Sequence, residues 1–313
     1  MATPGRIYLA ALLNATIVGL SLLFTKIALE ATSPIDTLGY RFFVAWLCLT
    51  LYMAFFKTKK MKINLREKKQ ILSLGILALF YPTLFFSFQA LGLNYTTSAE
   101  GGIILAFSPA LTALFASLFL KEKINWIQYL FIFLSIFGVV YIFVMSGVSI
   151  SLSPEHWMGI IFLFISCVSI AGYAVLARYL SVSFTPFQLS YVMVTFGVIF
   201  FNIAALIQIE GNVVEYMALV AQLDFLGAVV FLGIFATMLT SFLSNYALSK
   251  LSASKMSIFS NLSTVISIFA GAVFLGESIY LFHIIGSVMI IIGVLGTNFY
   301  KGRGARLGKK IFS

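Results

Sequence analysis

The sequence predicts an all-α integral membrane protein: ten transmembrane helices, arranged as two inverted five-helix repeats around a central cavity. Three observations predict it: an apolar composition, ten long apolar runs, and matches between the two halves at a near-constant offset. Of 313 residues, 61% are hydrophobic and only 10% are charged, where an ordinary soluble domain carries about a quarter charged residues. A helical span needs about 20 apolar residues, so the apolar content suffices for about ten. Too few charges remain for the shell of a soluble enzyme, and there are too many apolar residues for a disordered chain. Cys48 and Cys167 lie inside apolar runs and read as small packed side chains.

The runs lie near 7–29, 35–56, 71–91, 95–119, 125–146, 155–179, 185–209, 223–249, 253–275 and 279–300. Lipid cannot solvate a bare backbone, so each run is expected to be a helix. A barrel would instead show alternating segments of about ten residues. The first run is longer than the core of a secretory signal and nine more come after it, so it reads as a retained span. The second opens on Pro34 and carries Arg41 about two turns in. The fourth is interrupted by Ser108-Pro109, because proline removes a backbone donor and kinks a helix. The fifth holds Gly138 and the tenth Gly286, Gly293 and Gly296. Such small residues let helices approach closely, as internal scaffold or as the surface of a homodimer.

Charge predicts the orientation. With the N-terminus inside, 18 of the 20 Lys and Arg residues fall on the cytoplasmic side, seven of them between 57 and 69 and five in the tail after Tyr300. Only Lys26 and Arg41 fall on the other side. The positive-inside rule therefore places both termini in the cytoplasm of a multi-pass cell-membrane protein. The net charge of +10 becomes a topological signal with some attraction to anionic membrane lipid, and nucleic acid is discarded as a partner.

The halves match each other. Phe119-Leu120-Lys121-Glu122 falls on Phe274-Leu275-Gly276-Glu277 at an offset of 155 residues, and Gly138 falls on Gly293. Thr97-Ser98-Ala99 falls on Ser252-Ala253-Ser254, and an offset of 152 puts Lys26 on Arg178 and Pro34 on Pro186. The chain thus reads as one five-helix unit in 1–150 and a second in 151–313. Five is odd, so the second unit enters the membrane upside down. The charges agree: the basic 57–69 loop corresponds to an acidic 210–224 segment, and Lys121-Glu122-Lys123 to Gly276-Glu277-Ser278. Inverted repeats give two packings of similar energy, one open to each side, which is a transporter architecture.

With the Thr/Ser-Ser-Ala openings and the Leu-x-Glu endings of spans four and nine, over 94–122 and 245–277, the sequence resembles the EamA family of drug/metabolite transporters. Pro34 with Tyr40-Arg41-Phe42 is similar to the family's second-span opening. One departure is that 90–98 is about two residues longer than 247–253. The resemblance implies a secondary carrier that exports or exchanges amino acids and related metabolites, with no ATPase domain.

Polar residues inside a bilayer are costly and face the bundle interior. The first span offers Asn14, Ser21 and Thr25 on one face, and the sixth Ser166 and Tyr173 at matching spacing. The third offers Tyr81, Phe85, Phe88 and Gln89, the eighth Thr237, Ser241, Ser244 and Asn245. The fourth offers Ser108 and Thr112, and the ninth Ser257, Asn261, Thr264 and Ser267. From these, Asn14, Ser21, Tyr81, Phe85, Gln89, Ser108, Ser166, Tyr173, Ser244, Asn245 and Asn261 are the candidate substrate-binding residues, together with Arg41. Interhelical packing is the alternative role for any one of them. A lone Arg in lipid costs about 2.5–3.5 kcal/mol, so Arg41 is expected to face the interior and meet an acid or a substrate carboxylate. Snorkelling to headgroups, or a pair with Asp36 or Glu30, is its alternative. Glu122 and Glu277 stand at span ends, where capping is favoured over proton coupling.

No catalytic, metal or phosphate-loop motif occurs, so no cofactor is expected. A channel would want a continuous polar pore or a charged ring. It remains an alternative to a carrier of a small-molecule substrate, as does a non-transporting membrane scaffold.

Overall fold

A computed structural model describes residues 4–56, 68–96, 98–147, 153–208, 213–276 and 278–299. Expectations for the 57–67 loop, Glu210, Glu277 and the tail after Tyr300 lie outside the described residues. Ten helices among the described residues are long and apolar enough to cross a membrane. The first to tenth spans are Gly5–Ala31, Pro34–Phe55, Gln70–Leu93, Gly101–Phe119, Trp126–Met145, Pro154–Leu180, Pro186–Gln208, Leu223–Leu248, Ala253–Phe274 and Leu281–Phe299. No strand occurs among the described residues.

Large apolar side chains such as Phe55, Leu118, Ile207 and Val273 point outward, while Ala11, Ala45, Ala113, Ala171 and Ala247 are fully buried. That is the pattern of a bundle whose solvent is hydrocarbon: small residues inside let backbones approach, and bulky ones face lipid. The fifth and tenth spans form one close pair. A Cβ on Gly138 would meet the Gly286 carbonyl at 2.7 Å, and one on Gly293 would meet the Phe131 carbonyl at 2.6 Å. These glycines are therefore consumed by contact within the chain. The second span packs on the seventh, the first on the eighth and ninth, and the sixth on the third and fourth.

Two spans are built in pieces that the sequence marks. The fourth breaks where expected: one helix ends at Leu105 and the next runs Ser108–Phe119, with Pro109 in its first turn. The Ala106 carbonyl at this break receives Asn261 Nδ2 at 3.5 Å. Glu122, just past this span, caps the ninth: its carboxylate accepts from Ala253 N at 3.0 Å and from Ser254 Oγ at 2.9 Å. An anion at a helix N-terminus is stabilising, so capping is the role this glutamate takes. Cations finish other helices: Arg178 donates to the Leu248 carbonyl and Lys255 to that of Asn298, each at 2.9 Å.

The connection after the seventh span is pinned over one end of the bundle. Its short helix, Val213–Ala218, brings Tyr216 onto the second span. The Tyr40 hydroxyl donates to the Tyr216 carbonyl, and the Tyr216 hydroxyl donates to Asn202 Oδ1 at 3.2 Å. Asn202 in turn donates to the Gly39 carbonyl at 3.1 Å. A Cβ on Gly39 would stand 2.5 Å from the Tyr216 hydroxyl, so a side chain there would have to push that hydroxyl aside. Burial, then the neighbouring Tyr40 and Asp36, push the Tyr216 hydroxyl above the ordinary tyrosine value, which keeps it a donor.

Candidate functional site

Arg41 follows directly after Tyr40 on the second span. Its Nε donates to Thr237 Oγ at 2.5 Å and its Nη2 to the Ala236 carbonyl at 2.7 Å, both on the eighth span. Its guanidinium lies over the Phe86 ring, 5.1 Å from the centroid. Among the described residues, no carboxylate pairs with it. The Asp36 carboxylate is engaged instead by Thr32 and Ser33 hydroxyls at 2.7 and 2.8 Å. Arg41 therefore points between helices, held by neutral oxygens and an aromatic face, rather than towards headgroups or a structural acid. A cation so placed keeps its charge uncompensated and can accept an anion.

Aromatic rings lead from Arg41 across the bundle. Phe86 packs edge-on against Phe85 at 4.8 Å and lies 5.4 Å from Tyr81. Tyr81 stacks on Tyr173 at 4.9 Å. The Tyr173 hydroxyl lies 3.1 Å from Ser244 Oγ and 3.3 Å from Asn245 Oδ1, one proton between two acceptors. Asn245 Nδ2 donates to Ser190 Oγ at 3.0 Å. The second, third, sixth, seventh and eighth spans thus meet on one column, cationic at one end and amide-lined at the other.

The column is possible because the third span is not a continuous α-helix. It runs as an α-helix to Ala78, is kinked over Leu79–Leu84, and resumes as an α-helix at Phe85. Tyr81 there has extended backbone angles, φ −145° and ψ 121°, ahead of Pro82. The kink breaks the regular helical period, so the helix beyond it presents a different face. Phe86 consequently joins Tyr81 in the interior.

The structure brings together Arg41, Tyr81, Phe85, Tyr173, Ser244 and Asn245. Ser166 stands at the edge of this group, where its hydroxyl donates to the Phe85 carbonyl at 2.8 Å. The other five sit elsewhere. Asn261 also donates to Ser135 Oγ at 3.1 Å, tying the ninth span to the fifth. Ser108 Oγ lies 3.5 Å from Ser260 Oγ. Ser21 donates to the Val18 carbonyl of its own helix at 2.7 Å. Asn14 is half-buried on the first span, its Oδ1 shielded and without a described partner. Gln89 is half-buried on the third span, beyond the kink. Phe86, Ser190 and the Ala236 carbonyl join the group, and no polar periodicity in the sequence marks them.

A separate groove of about 690 Å³ lies between the third and seventh spans, lined by Gly75, Leu79, Thr83, Phe196, Ile199 and Ile203 among others. Its walls are apolar and outward-facing, so it suits hydrocarbon and offers nothing to a polar solute.

The sequence profile of the EamA-like transporter family matches residues 5–144 and again 157–299. The chain belongs to the EamA-like transporter family. Among similar proteins is the "Uncharacterized transporter YcxC" of Bacillus subtilis (strain 168), 41% identical over 293 residues, which cover 93% of this chain and 92% of that one. "Uncharacterized transporter YyaM" of the same organism is 26% identical over 290 residues, covering 92% of each. A solved structure, described only as "Crystal structure of protein", aligns with a TM-score of 0.77 at 16% identity over 94% of this chain and 96% of that one. That likeness is one of fold alone. This EamA-like protein is a multi-pass membrane transporter by family, and its relatives are named as transporters rather than enzymes.

Proposed function

We propose that this transporter is a secondary carrier that exports or exchanges a small carboxylate-bearing metabolite, such as an amino acid, by alternating access. The observation that carries the reading is Arg41, which has no carboxylate partner among the described residues and is held inside the bundle by two neutral oxygens. A guanidinium fork recognises a carboxylate bidentately, and the rings of Phe86, Tyr81 and Tyr173 suit an apolar or planar body beside it. We place this site between two inverted five-helix units, 1–150 and 151–313, in the cell membrane with both termini in the cytoplasm.

Reciprocal packing supports the inverted units. Gly138 meets Gly286, while Gly293, its equivalent at an offset of 155, meets Phe131, the equivalent of Gly286 at that same offset. Likewise the first span packs on the eighth and ninth as the sixth packs on the third and fourth. Such exchange of partners is what a two-fold axis between similar halves produces. The test is efflux from proteoliposomes loaded with a panel of labelled amino, hydroxy and aromatic acids. Saturable efflux of panel members supports the carrier. Non-saturable efflux favours a channel, and no efflux of any member sinks the carboxylate reading.

A further inference from the structure

Irregular turns occupy equivalent places in the third and eighth spans, a kink in the third and a π-helical turn in the eighth. They run over Leu79–Leu84 and Ile234–Leu239, at the offset of 155 residues that relates the halves. Bonds in a π turn run from i to i+5, so the ladder carries one residue too many and the helix can pivot there. Both turns border the polar column. The first carries Tyr81, which stacks on Tyr173. The second carries Ala236 and Thr237, the two partners of Arg41.

The edge of Arg41 that these two residues occupy matters. Nε and Nη2 form the side of the guanidinium that suits a bidentate carboxylate. Here that edge is filled by a hydroxyl and a carbonyl of the eighth-span turn. Thr237 is oriented for this, because its own hydroxyl proton goes to the Leu232 carbonyl at 2.9 Å, leaving a lone pair for Arg41. The second and eighth spans are also pressed together at the start of the turn, where a Cβ on Gly233 would stand 2.6 Å from Val44 and 3.0 Å from the Arg41 carbonyl.

We propose that Arg41 latches the eighth-span π turn in the unloaded carrier, that an anionic group of the substrate takes its place, and that the protein is therefore an exchanger of anionic substrates. The inference rests on the carboxylate reading of Arg41. A carboxylate offers the guanidinium a bidentate pair of bonds and an opposite charge, which the two neutral oxygens lack, so an arriving anion displaces Thr237 and Ala236. Displacement frees the π turn to pivot. It also neutralises the guanidinium, so the loaded carrier can close around an ion pair. The unloaded carrier keeps its hinge pinned by the two bonds from Arg41. Return of the carrier thus requires a second anion from the opposite side.

Two measurements test this. In nanodiscs without added small molecules, hydrogen–deuterium exchange is followed over residues 234–239. Thr237→Val should raise exchange there about tenfold, the effect of losing one charge-assisted bond, and Arg41→Gln, which loses both bonds to the turn, at least as much. The double variant should add nothing further, and Thr237→Ser should behave as wild type. Unchanged exchange in Thr237→Val or Arg41→Gln overturns the latch. In proteoliposomes loaded with the labelled acid panel, efflux is then compared with and without the unlabelled panel outside. Wild-type efflux should be at least about tenfold faster with the panel outside, and Thr237→Val should narrow that ratio to about twofold. Equal wild-type efflux in both conditions overturns the exchange mechanism. No efflux in either condition overturns the carboxylate reading and the exchange with it, while the nanodisc measurement still decides the latch.

Discussion

Replacing Tyr173 by Phe keeps its ring on Tyr81, 4.9 Å away, and deletes only the hydroxyl. That hydroxyl faces Ser244 Oγ at 3.1 Å and Asn245 Oδ1 at 3.3 Å. Asn245 is fully buried, so the substitution leaves its Oδ1 in a dry site without a donor. An orphaned buried acceptor costs about 1–3 kcal/mol, whereas hydrogen bonds between membrane helices average about 0.6 kcal/mol and reach about 1.7. The structure favours the upper part of the membrane range, because Asn245 also anchors Ser190 at 3.0 Å and cannot turn away without losing that bond. We expect Tyr173→Phe to destabilise by about 1–2 kcal/mol. In a double-mutant cycle with Asn245→Leu, the coupling should be about 0.6–1.7 kcal/mol. The assay is reversible unfolding in mixed micelles, titrated with denaturing detergent. A coupling below about 0.3 kcal/mol, the scatter of independent sites, would refute the bond and with it the tie between the sixth and eighth spans.

Other substitutions probe the scaffold. Gly138→Ala and Gly293→Ala should each cost about 1–3 kcal/mol by overpacking the fifth–tenth contact, whereas Gly227→Ala, with open space at its Cβ position, should be neutral or stabilising in the same unfolding assay. Glu122→Ala should cost about 0.5–2 kcal/mol through loss of the ninth-span cap. Its melting transition should fall, while the dependence of flux on a proton gradient should not change. For topology, single cysteines placed in the 57–70 loop should resist impermeant thiol reagents in intact cells, and those placed in 210–224 should react. Labelling of the 57–70 loop from outside would reverse the proposed orientation.

The spans are legible because lipid exposure demands long uninterrupted apolar runs, and the observed helices begin and end within a few residues of those runs. The break at Ser108-Pro109 is legible for the same local reason: proline cannot complete the ladder. Pro82 carries the same signal in the third span. A regular period of 3.6 puts Phe88 and Gln89 on the face of Tyr81, and the kink puts Phe86 there instead. The π turn at the equivalent place, Ile234–Leu239, holds no proline, so only the offset of 155 residues could flag it. Partner choice is the least legible. Asn245 and Asn261 look alike in sequence, yet one joins Tyr173 and the other Ser135. Helix registry decides that, and a single sequence does not contain it. Arg41 is legible as an interior cation because an unpaired guanidinium in lipid is so costly. That its partners are a hydroxyl and a backbone carbonyl is not.

The central claim is that Arg41 receives the carboxylate of the transported molecule. The most direct measurement compares efflux of matched acids and their neutral amides from proteoliposomes bearing wild type, Arg41→Lys or Arg41→Gln at equal protein content. Loss of a charge-assisted pair worth about 1.5–3 kcal/mol should lower carboxylate efflux by about 10–100-fold in Arg41→Gln. Arg41→Lys should fall less, because it keeps the charge and loses the fork. Amide efflux should change little in either variant. Carboxylate efflux that is unchanged in Arg41→Gln, or that falls in step with the amides, would contradict the account and leave recognition to the aromatic and amide groups of the column.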